Sequence, residues 1–241
     1  MKNSLYIKYT IEFFVVVLGI SVSFWLSEWN DDRKSALSHI DENMAVIDDL
    51  EQDRVKLEYI DGLIKEGCIN SNRVISNIEL FRSGTSDYLC FADSLIEIGF
   101  VYSYATFFIN DATYKSLIAK GRMHEYPSYF EKHIKGYYEY VAKRSNDNNR
   151  IMDDVAIDYY HHYHPFSQKA SKGDKGLSNA DEKRFFAADD IRAHYSSLDF
   201  YKASLAFQMK IIDHGRQISV YLTKREQLDS LLRGHAGLPA K

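Results

Sequence analysis

An uncharged apolar run near the N-terminus is the feature that most constrains this chain. Residues 11–29 read IEFFVVVLGISVSFWLSEW, and no charged side chain occurs from Phe13 to Ser27. As a helix, about 19 residues with a rise of about 1.5 Å each would span roughly 28 Å, close to the hydrocarbon thickness of a bilayer. The run therefore predicts a transmembrane helix over 11–29, preceded by a short N-terminal arm over 1–10.

Aromatic and basic residues flank the apolar run on both sides, as they do at the two interfaces of a membrane. Those on the N-terminal side are Lys2, Tyr6, Lys8 and Tyr9. Those on the C-terminal side are Trp25, Trp29, Arg33 and Lys34, which we expect to act as interfacial anchors. Since two basic residues stand on each side, the positive-inside rule does not fix the orientation. The initiator amine favours an N-terminus inside and a domain outside the cytoplasm.

Two other interpretations of the run fit its sequence less well. A cleaved signal peptide needs a small-x-small cleavage site, and Ser21-Val22-Ser23 is a poor one because the apolar residues continue through Leu26. A buried core helix is disfavoured by the length and the flanks of the run.

Glu12 is an ionisable residue inside the predicted span, where such residues are costly and usually have a partner. Helical steps from it define a stripe of Glu12, Val16, Gly19, Ser23, Leu26 and Asn30. Small and polar residues on one stripe let membrane helices approach and form hydrogen bonds, which predicts a face for self-association or for a partner helix. The alternative is that Glu12 extends to the headgroups, because it lies about one turn inside the boundary. Both interpretations stay open at this point.

The rest of the chain favours helices, because 241 residues contain only three prolines and twelve glycines. Residues 30–82 predict a long juxtamembrane amphipathic helix that the polar residues 83–87 end. Its predicted inward positions are Leu37, Ile40, Met44, Ile47, Leu50, Leu57, Ile60, Ile64, Cys68, Ile75, Ile78 and Phe81. The fold class expected is all-α: a transmembrane helix followed by an antiparallel bundle of about three long helices with short connecting helices.

The remaining elements of that domain, 83–241, follow from local signals. We expect helices over 87–98, 112–120, 128–163, 181–187 and 197–233, with a buried extended connection or an irregular helix over 99–109. Asn110 or Asp111 is the expected cap of the helix that begins at Ala112. Residues 165–180 form the predicted loop, the best candidate for disorder, and 234–241 a fraying tail. In the last helix the positions predicted to face inward include Leu198, Tyr201, Leu205, Met209, Ile212, Ile218 and Leu222.

Two stretches of this chain resemble a bacterial family of short single-pass membrane proteins that is defined only as a domain of unknown function. The first combines Glu12, Gly19-Ile20 and the exit sequence from Trp29-Asn30 to Arg33-Lys34. The second is Thr113-Tyr114-x-x-Leu117-x-x-x-Gly121, followed by a long helix containing Tyr137-Tyr138. The resemblance implies an anchored helical domain at the bacterial inner membrane, outside the cytoplasm, and no catalytic residues. The arm before the span is shorter here than in the family, which leaves the orientation open.

A few side chains could bind a metal, form a polar pocket or form a disulfide. His161, His164 and Asp158 are weak candidates for zinc ligands, with His162 between them, and the competing interpretation is a polar helix end. His124 and Glu125 with 113–121 could form a polar pocket, although a corner held by buried Tyr114 and Leu117 is favoured. Cys68 and Cys90 could pair across a hairpin or, as favoured, stay free.

Composition and motifs narrow the function classes. A net charge of -4, without a basic stripe, argues against nucleic-acid binding. No G-x-S-x-G, P-loop, G-x-G-x-x-G or H-E-x-x-H sequence occurs, so no enzyme class, cofactor or catalytic residue is predicted. The leading hypothesis is a membrane-tethered interaction or scaffold protein that is oligomeric or binds a partner membrane protein. An extracytoplasmic ligand-binding sensor, using aromatic space around 100–108 and Tyr137-Tyr138, and a metal-dependent hydrolase follow in that order.

Overall fold

The computed structural model describes residues 2–167 and 179–239, and within these two ranges all regular secondary structure is helical. The all-α prediction is therefore confirmed. In chain order the helices are α1 (Lys2–Arg82), α2 (Tyr88–Ile98), α3 (Ala112–Ala119), a 3-10 turn (Arg122–Glu125), α4 (Ser128–Lys135), a first π turn (Gly136–Val141), α5 (Ala142–Asp158), a second π turn (Tyr159–Tyr163), α6 (Asn179–Phe186), α7 (Asp189–Tyr195) and α8 (Leu198–His235).

Helix α1 is one uninterrupted helix of 81 residues, about 120 Å long at about 1.5 Å per residue. It contains no proline, so nothing breaks it between the predicted span and the juxtamembrane segment. It ends at Arg82 in a left-handed turn at Gly84, with φ of 74°. The backbone N–H groups of Gly84 and Thr85 donate to the carbonyls of Phe81 and Leu80, which satisfies the last turn.

Helix α8 packs antiparallel along α1 and forms the most extensive helix pair of the domain. Near the start of α8, the Tyr201 hydroxyl donates to Glu79, and near its end the Arg225 guanidinium donates to the carbonyl of Leu50. The apolar α1 side chains buried in this domain are Val46, Ile47, Leu50, Leu57, Ile60, Ile64, Val74, Ile75 and Ile78. We call residues 38–167 and 179–239 the helical domain, because α1 is bonded to the rest of the chain from Ser38 on, where its hydroxyl accepts from Arg122.

The predicted inward face of α8 is partly wrong. Leu198 and Met209 are exposed, Tyr201 and Leu222 are partly buried against the core, and Ile218 is buried as predicted. The most buried side chains of this helix include Phe200, Phe207 and Ile211, which were not predicted to face inward. Apolar residues occur on both sides of this helix, and the tertiary partners on α1 and α5 decide which side is covered.

The helix over 128–163 spans the predicted range but contains two π turns that the sequence did not indicate. Each π turn inserts an extra residue and shifts the face that follows it. Beyond the first π turn, Ile151 is exposed and Met152 is buried.

Residues 99–111 contain no regular secondary structure, and side chains bond to their backbone as a partner strand would. The Asn149 amide accepts the N–H of Phe107 and donates to its carbonyl, at 3.2 Å and 2.8 Å. The Tyr160 hydroxyl does the same for Tyr102, at 3.0 Å and 2.8 Å. Tyr102 lies directly against Gly67 of α1, where a β-carbon would come within 2.6 Å of its ring.

Helix α7 was not predicted. The predicted loop over 165–180 falls mostly on residues 168–178, which lie outside the described residues, as do residues 240 and 241 of the predicted tail.

Candidate functional site: the outer face of the first helix

The predicted membrane segment of α1 is exposed along its whole described length. It is long and apolar enough to cross a membrane, and none of its apolar window is buried against the rest of the chain. The exposed fraction of the side chain is between 49% and 72% for Phe13, Leu18, Phe24 and Leu26. The segment therefore is not a core helix of this domain. The side chains of the N-terminal flank, Lys2, Tyr6, Lys8 and Tyr9, lie outside the described residues.

The exposure does not stop where the apolar run stops. Leu37, Ile40 and Met44 were predicted to face the domain, and that prediction is wrong: they are 55%, 53% and 39% exposed. Val46 is fully buried, and it lies about 200° around the helix from Met44 at about 100° per residue. The domain thus covers one side of α1, and these three side chains lie on the opposite side.

We call the line from Glu12 to Met44 on this uncovered side the outer face of α1. It contains the predicted packing residues Glu12, Val16, Gly19, Ser23 and Asn30, which share one side of the helix as their spacing requires. The Ser23 hydroxyl donates to the carbonyl of Gly19 at 2.8 Å. A β-carbon added at Gly19 would meet no atom of this chain within 4 Å, so the chain's own packing does not require a glycine there.

The predicted interfacial anchors lie just beyond the apolar segment. Trp25 and Trp29 are exposed, and the Arg33 guanidinium lies 6.0 Å from the centroid of the Trp29 ring. Lys34 is exposed. Amphipathic side chains at these positions suit the region between hydrocarbon and water.

A polar clamp fixes α1 where it enters the domain. Arg122 donates to the Ser38 hydroxyl and lies 3.2 Å from Glu42 and 3.3 Å from Glu125. His39 lies 2.7 Å from the Glu125 carboxylate. These contacts hold α1 by the side opposite to Leu37, so the outer face points away from the domain. The predicted polar pocket at His124 and Glu125 is thus occupied by this clamp, with His124 3.6 Å from Glu131 at its rim.

The second stretch that carries the family resemblance docks on α1 through two carboxylates. Asp49 accepts the Thr113 backbone N–H at 3.1 Å and the Asn110 side-chain amide at 2.8 Å. Asp53 accepts the Asn110 backbone N–H at 2.9 Å and the Tyr137 hydroxyl at 3.0 Å. Asp111 is the N-cap residue of α3, one of the two expected, but it forms no side-chain cap bond, and Asp49 of α1 supplies the acceptor for the Thr113 N–H.

Asp53 is fully buried, and its burial shifts the pKa of its carboxyl group. Burial raises the pKa of its carboxyl to about 6, against the bonds from Asn110 and Tyr137 and the charge of Lys56, which lower it. Tyr114 and Leu117 are buried beside this junction, which confirms the expected corner. The Tyr114 ring stacks on Tyr138 at 4.8 Å.

The histidine cluster does not converge on one point. His164 is buried, with Nδ1 2.8 Å from the Tyr195 hydroxyl and Nε2 3.3 Å from the Gly99 carbonyl. His161 is exposed, and Asp158 lies 3.0 Å from His162 rather than from His161. The second π turn breaks the spacing that would have put His161 and His164 on one face. Within the described residues, no group of three or more His, Cys, Asp or Glu side chains could hold a metal ion.

Other candidate groups lie apart from the outer face. Cys68 and Cys90 are both free, Cys68 partly buried and Cys90 exposed. Of the aromatic side chains expected to line a ligand space, Tyr102, Phe107, Tyr137 and Tyr138 are buried, whereas Phe100 and Phe108 are exposed. Three clefts described on the surface are lined by other residues; the largest, about 1030 Å³, lies between α4 and the end of α8.

A comparison of the chain with protein-family models, curated proteins and solved structures finds no match.

The sequence did not indicate which residues set the direction of the outer face. The stripe from Glu12 to Asn30 was predicted as a packing face. Leu37, Ile40 and Met44 were instead assigned to the core, because all apolar positions of the helix were taken as one stripe. The signal that separates them is the spacing: continuing the steps of three and four residues from Asn30 leads through Arg33 to Leu37, Ile40 and Met44. No sequence signal identified Arg122 or His39, whose partners are far away in the chain.

Proposed function

We propose that this protein is a membrane-anchored helical interaction or scaffold protein that associates through the outer face of α1. Its anchor is the segment 11–29, in a bacterial inner membrane with the helical domain outside the cytoplasm. The soluble part is an antiparallel bundle built on α1, the 128–163 helix and α8. Membership of the family it resembles is part of the same proposal, and no catalytic role is assigned to it.

One observation carries the proposal: a continuous helix leaves the domain with apolar side chains exposed on the side that the domain does not cover. Leu37, Ile40 and Met44 lie beyond the predicted bilayer boundary, so lipid does not cover them. Apolar side chains in water at helical spacing favour burial against another protein surface.

Two further features support an interaction role over a chemical one. Gly19 leaves open space on the outer face within the span, where small residues let helices approach closely. The candidate ligands His161, His164 and Asp158 point to different surroundings, and the buried aromatic residues leave the sensor hypothesis without a supporting contact.

The test is the mass of the full-length protein in mild detergent, measured by light scattering that separates protein from detergent. The wild-type chain is expected to be an oligomer. Gly19→Leu, which fills the open space, is expected to shift the mass toward a single chain. Val17→Leu is the matched control, because it adds bulk on the other side of the same segment and should leave the mass unchanged.

A single-chain mass for the wild type, with no change in either variant, would contradict the proposal.

A further inference from the structure

Heptad spacing runs along the outer face of α1. From Glu12 to Asn30, and again from Leu37 to Met44, the positions on this face alternate steps of four and three residues, the spacing at which two helices wind around each other in a left-handed supercoil. The d position between Asn30 and Leu37 is Arg33, which interrupts the apolar positions at the predicted membrane boundary. With Asn30 as position a, Leu37 and Met44 are also a positions, and Leu26 and Ile40 are d positions. The outer face is therefore a seam in the coiled-coil sense.

The composition of the seam changes where its surroundings change. Inside the predicted span it contains Gly19 and Ser23, four residues apart, the small-x-x-x-small pattern that brings helices close in lipid. Outside the span it contains Leu37, Ile40 and Met44, which would be buried by a partner in water. Each part thus has the residues that favour helix association in its own medium.

The helical domain occupies the positions that a two-stranded coiled coil leaves free. Ser38, His39 and Glu42 are the b, c and f positions of the heptad, and all three contact the clamp around Arg122. Two copies could therefore pair along the seam with their domains on opposite outer sides. The clamp also fixes the rotation of α1, which keeps Leu37 directed away from the domain.

The seam ends where the domain takes over the helix. The d position after Met44 is Ile47, which is buried in the domain, and the following a position is Glu51, which bonds to Arg54 at 2.7 Å. Beyond this point the seam positions have no exposed apolar side chain that a second helix could cover. The pairing surface is thus bounded by the membrane segment on one side and by residues 44–47 on the other.

We infer that the outer face binds the same face of a second copy of this chain in a parallel, two-stranded coiled coil. This inference rests on the proposed self-association and adds the partner, the direction and the number of chains. Parallel pairing follows because two copies inserted into one membrane with the same topology run in the same direction. Two strands follow from Asn30, since a single polar Asn at an a position sets the register and favours a dimer.

The first experiment is disulfide cross-linking of single cysteines in the full chain, in vesicles, with Cys68 and Cys90 changed to Ala and Ser. Leu37→Cys and Ile40→Cys place thiols in the seam, and mild oxidation is expected to convert most of each variant to a linked pair. Asp32→Cys is the control, because Asp32 is an exposed c position on the same helix. It is expected to stay a single chain.

Equal cross-linking at residue 32, or none at residues 37 and 40, would overturn the seam. If cross-linking fails in this way while light scattering still finds an oligomer, the self-association stands and the seam is wrong. If light scattering finds a single chain, both fail.

A second experiment keeps Cys68 and Cys90 and measures mass alone. Asn30→Ile removes the polar residue at position a, and we expect the uniform two-chain mass to give way to a mixture with larger assemblies. Asp31→Asn, at a b position, should keep the two-chain mass. A wild-type mass of three or more chains would overturn the two-stranded assignment.

Discussion

Two stretches of the same helix, 46–78 and 12–44, differ in what covers them. In the first, Leu50 and Leu57 are fully buried under α8 and its neighbours. In the second, Leu37 and Ile40 continue the helical period but remain more than half exposed. The comparison teaches that periodicity predicts an apolar face, whereas only tertiary structure shows whether the chain itself covers that face.

The difference has an energetic meaning. Burying a Leu or Ile side chain contributes about 1.5–3 kcal/mol relative to leaving it exposed. For Leu50 and Leu57 this contribution is part of folding. For Leu37 and Ile40 it is still available, and a second chain would supply the surface that realises it.

The largest effect is expected from Leu57→Ala, on the covered side of α1. Removing a fully buried Leu side chain should lower the free energy of unfolding by about 2–5 kcal/mol, because it leaves a cavity. Denaturant unfolding of the full chain in mild detergent measures this. Val55→Ala, two residues earlier on the exposed side, should change it by no more than about 0.5 kcal/mol. Equal losses for the two variants would remove the distinction between the sides.

A smaller loss is expected from Asp53→Leu, which removes the acceptor at the junction of α1 with residues 110–113. It leaves the Asn110 N–H and the Tyr137 hydroxyl without their bonds, at about 1–3 kcal/mol for each buried group, and burial of the new Leu side chain offsets about 1.5–3 kcal/mol of that sum. Asp53→Asn keeps an acceptor and should retain most of the stability. The same unfolding measurement compares them, and a loss as large for Asn as for Leu would contradict the assigned bonds.

Structural features that depend on residues close together in the chain could be predicted from the sequence, whereas features that depend on distant residues could not. Local signals predicted the end of α1 at the 83–87 turn and a helix from residue 87, where the structure shows the Asp87 side chain accepting the Cys90 N–H as the cap of α2. The π turns, the register of α8 and the cap from Asp49 depend on residues far apart in the chain. For the outer face, the spacing predicted the positions from Glu12 to Asn30, but its extension to Met44 required knowing which side the domain covers.

The pH dependence of stability should show two opposite contributions from groups buried at the covered side. The pKa of Asp53 is raised to about 6, so the folded state binds more protons than the unfolded state between about pH 4 and 6, and this contribution falls as pH rises. Burial lowers the pKa of His214 to about 4, so the unfolded state binds more protons between about pH 4 and 6.5, and this contribution is lost as pH falls.

Two variants separate these contributions, which are at most about 3 kcal/mol for Asp53 and about 3.5 kcal/mol for His214 at about 1.4 kcal/mol per pKa unit. Relative to the wild type between about pH 4 and 6.5, Asp53→Asn should make stability rise more steeply with pH, and His214→Phe less steeply. Unfolding curves at fixed protein concentration measure both slopes. Parallel slopes in all three proteins would show that neither group titrates in the buried form described.

The smallest effect is expected from Glu12→Leu, which addresses the two interpretations of that carboxyl. If Glu12 bonds across the seam, association should weaken by about 1 kcal/mol, roughly fivefold in the dissociation constant. Leu18→Ile in the same segment is the control. Measured by dilution of the detergent-solubilised protein, an unchanged constant would show that Glu12 extends to the headgroups instead.

The most direct measurement is the distance between two copies of residue 37. A nitroxide label on Leu37→Cys, with Cys68 and Cys90 replaced, can be followed by pulsed electron paramagnetic resonance in vesicles. Paired outer faces, with helix axes about 10 Å apart, predict one narrow population of short distances. A broad distribution without a short component, in a protein that is still folded, would contradict a second chain on the outer face of α1.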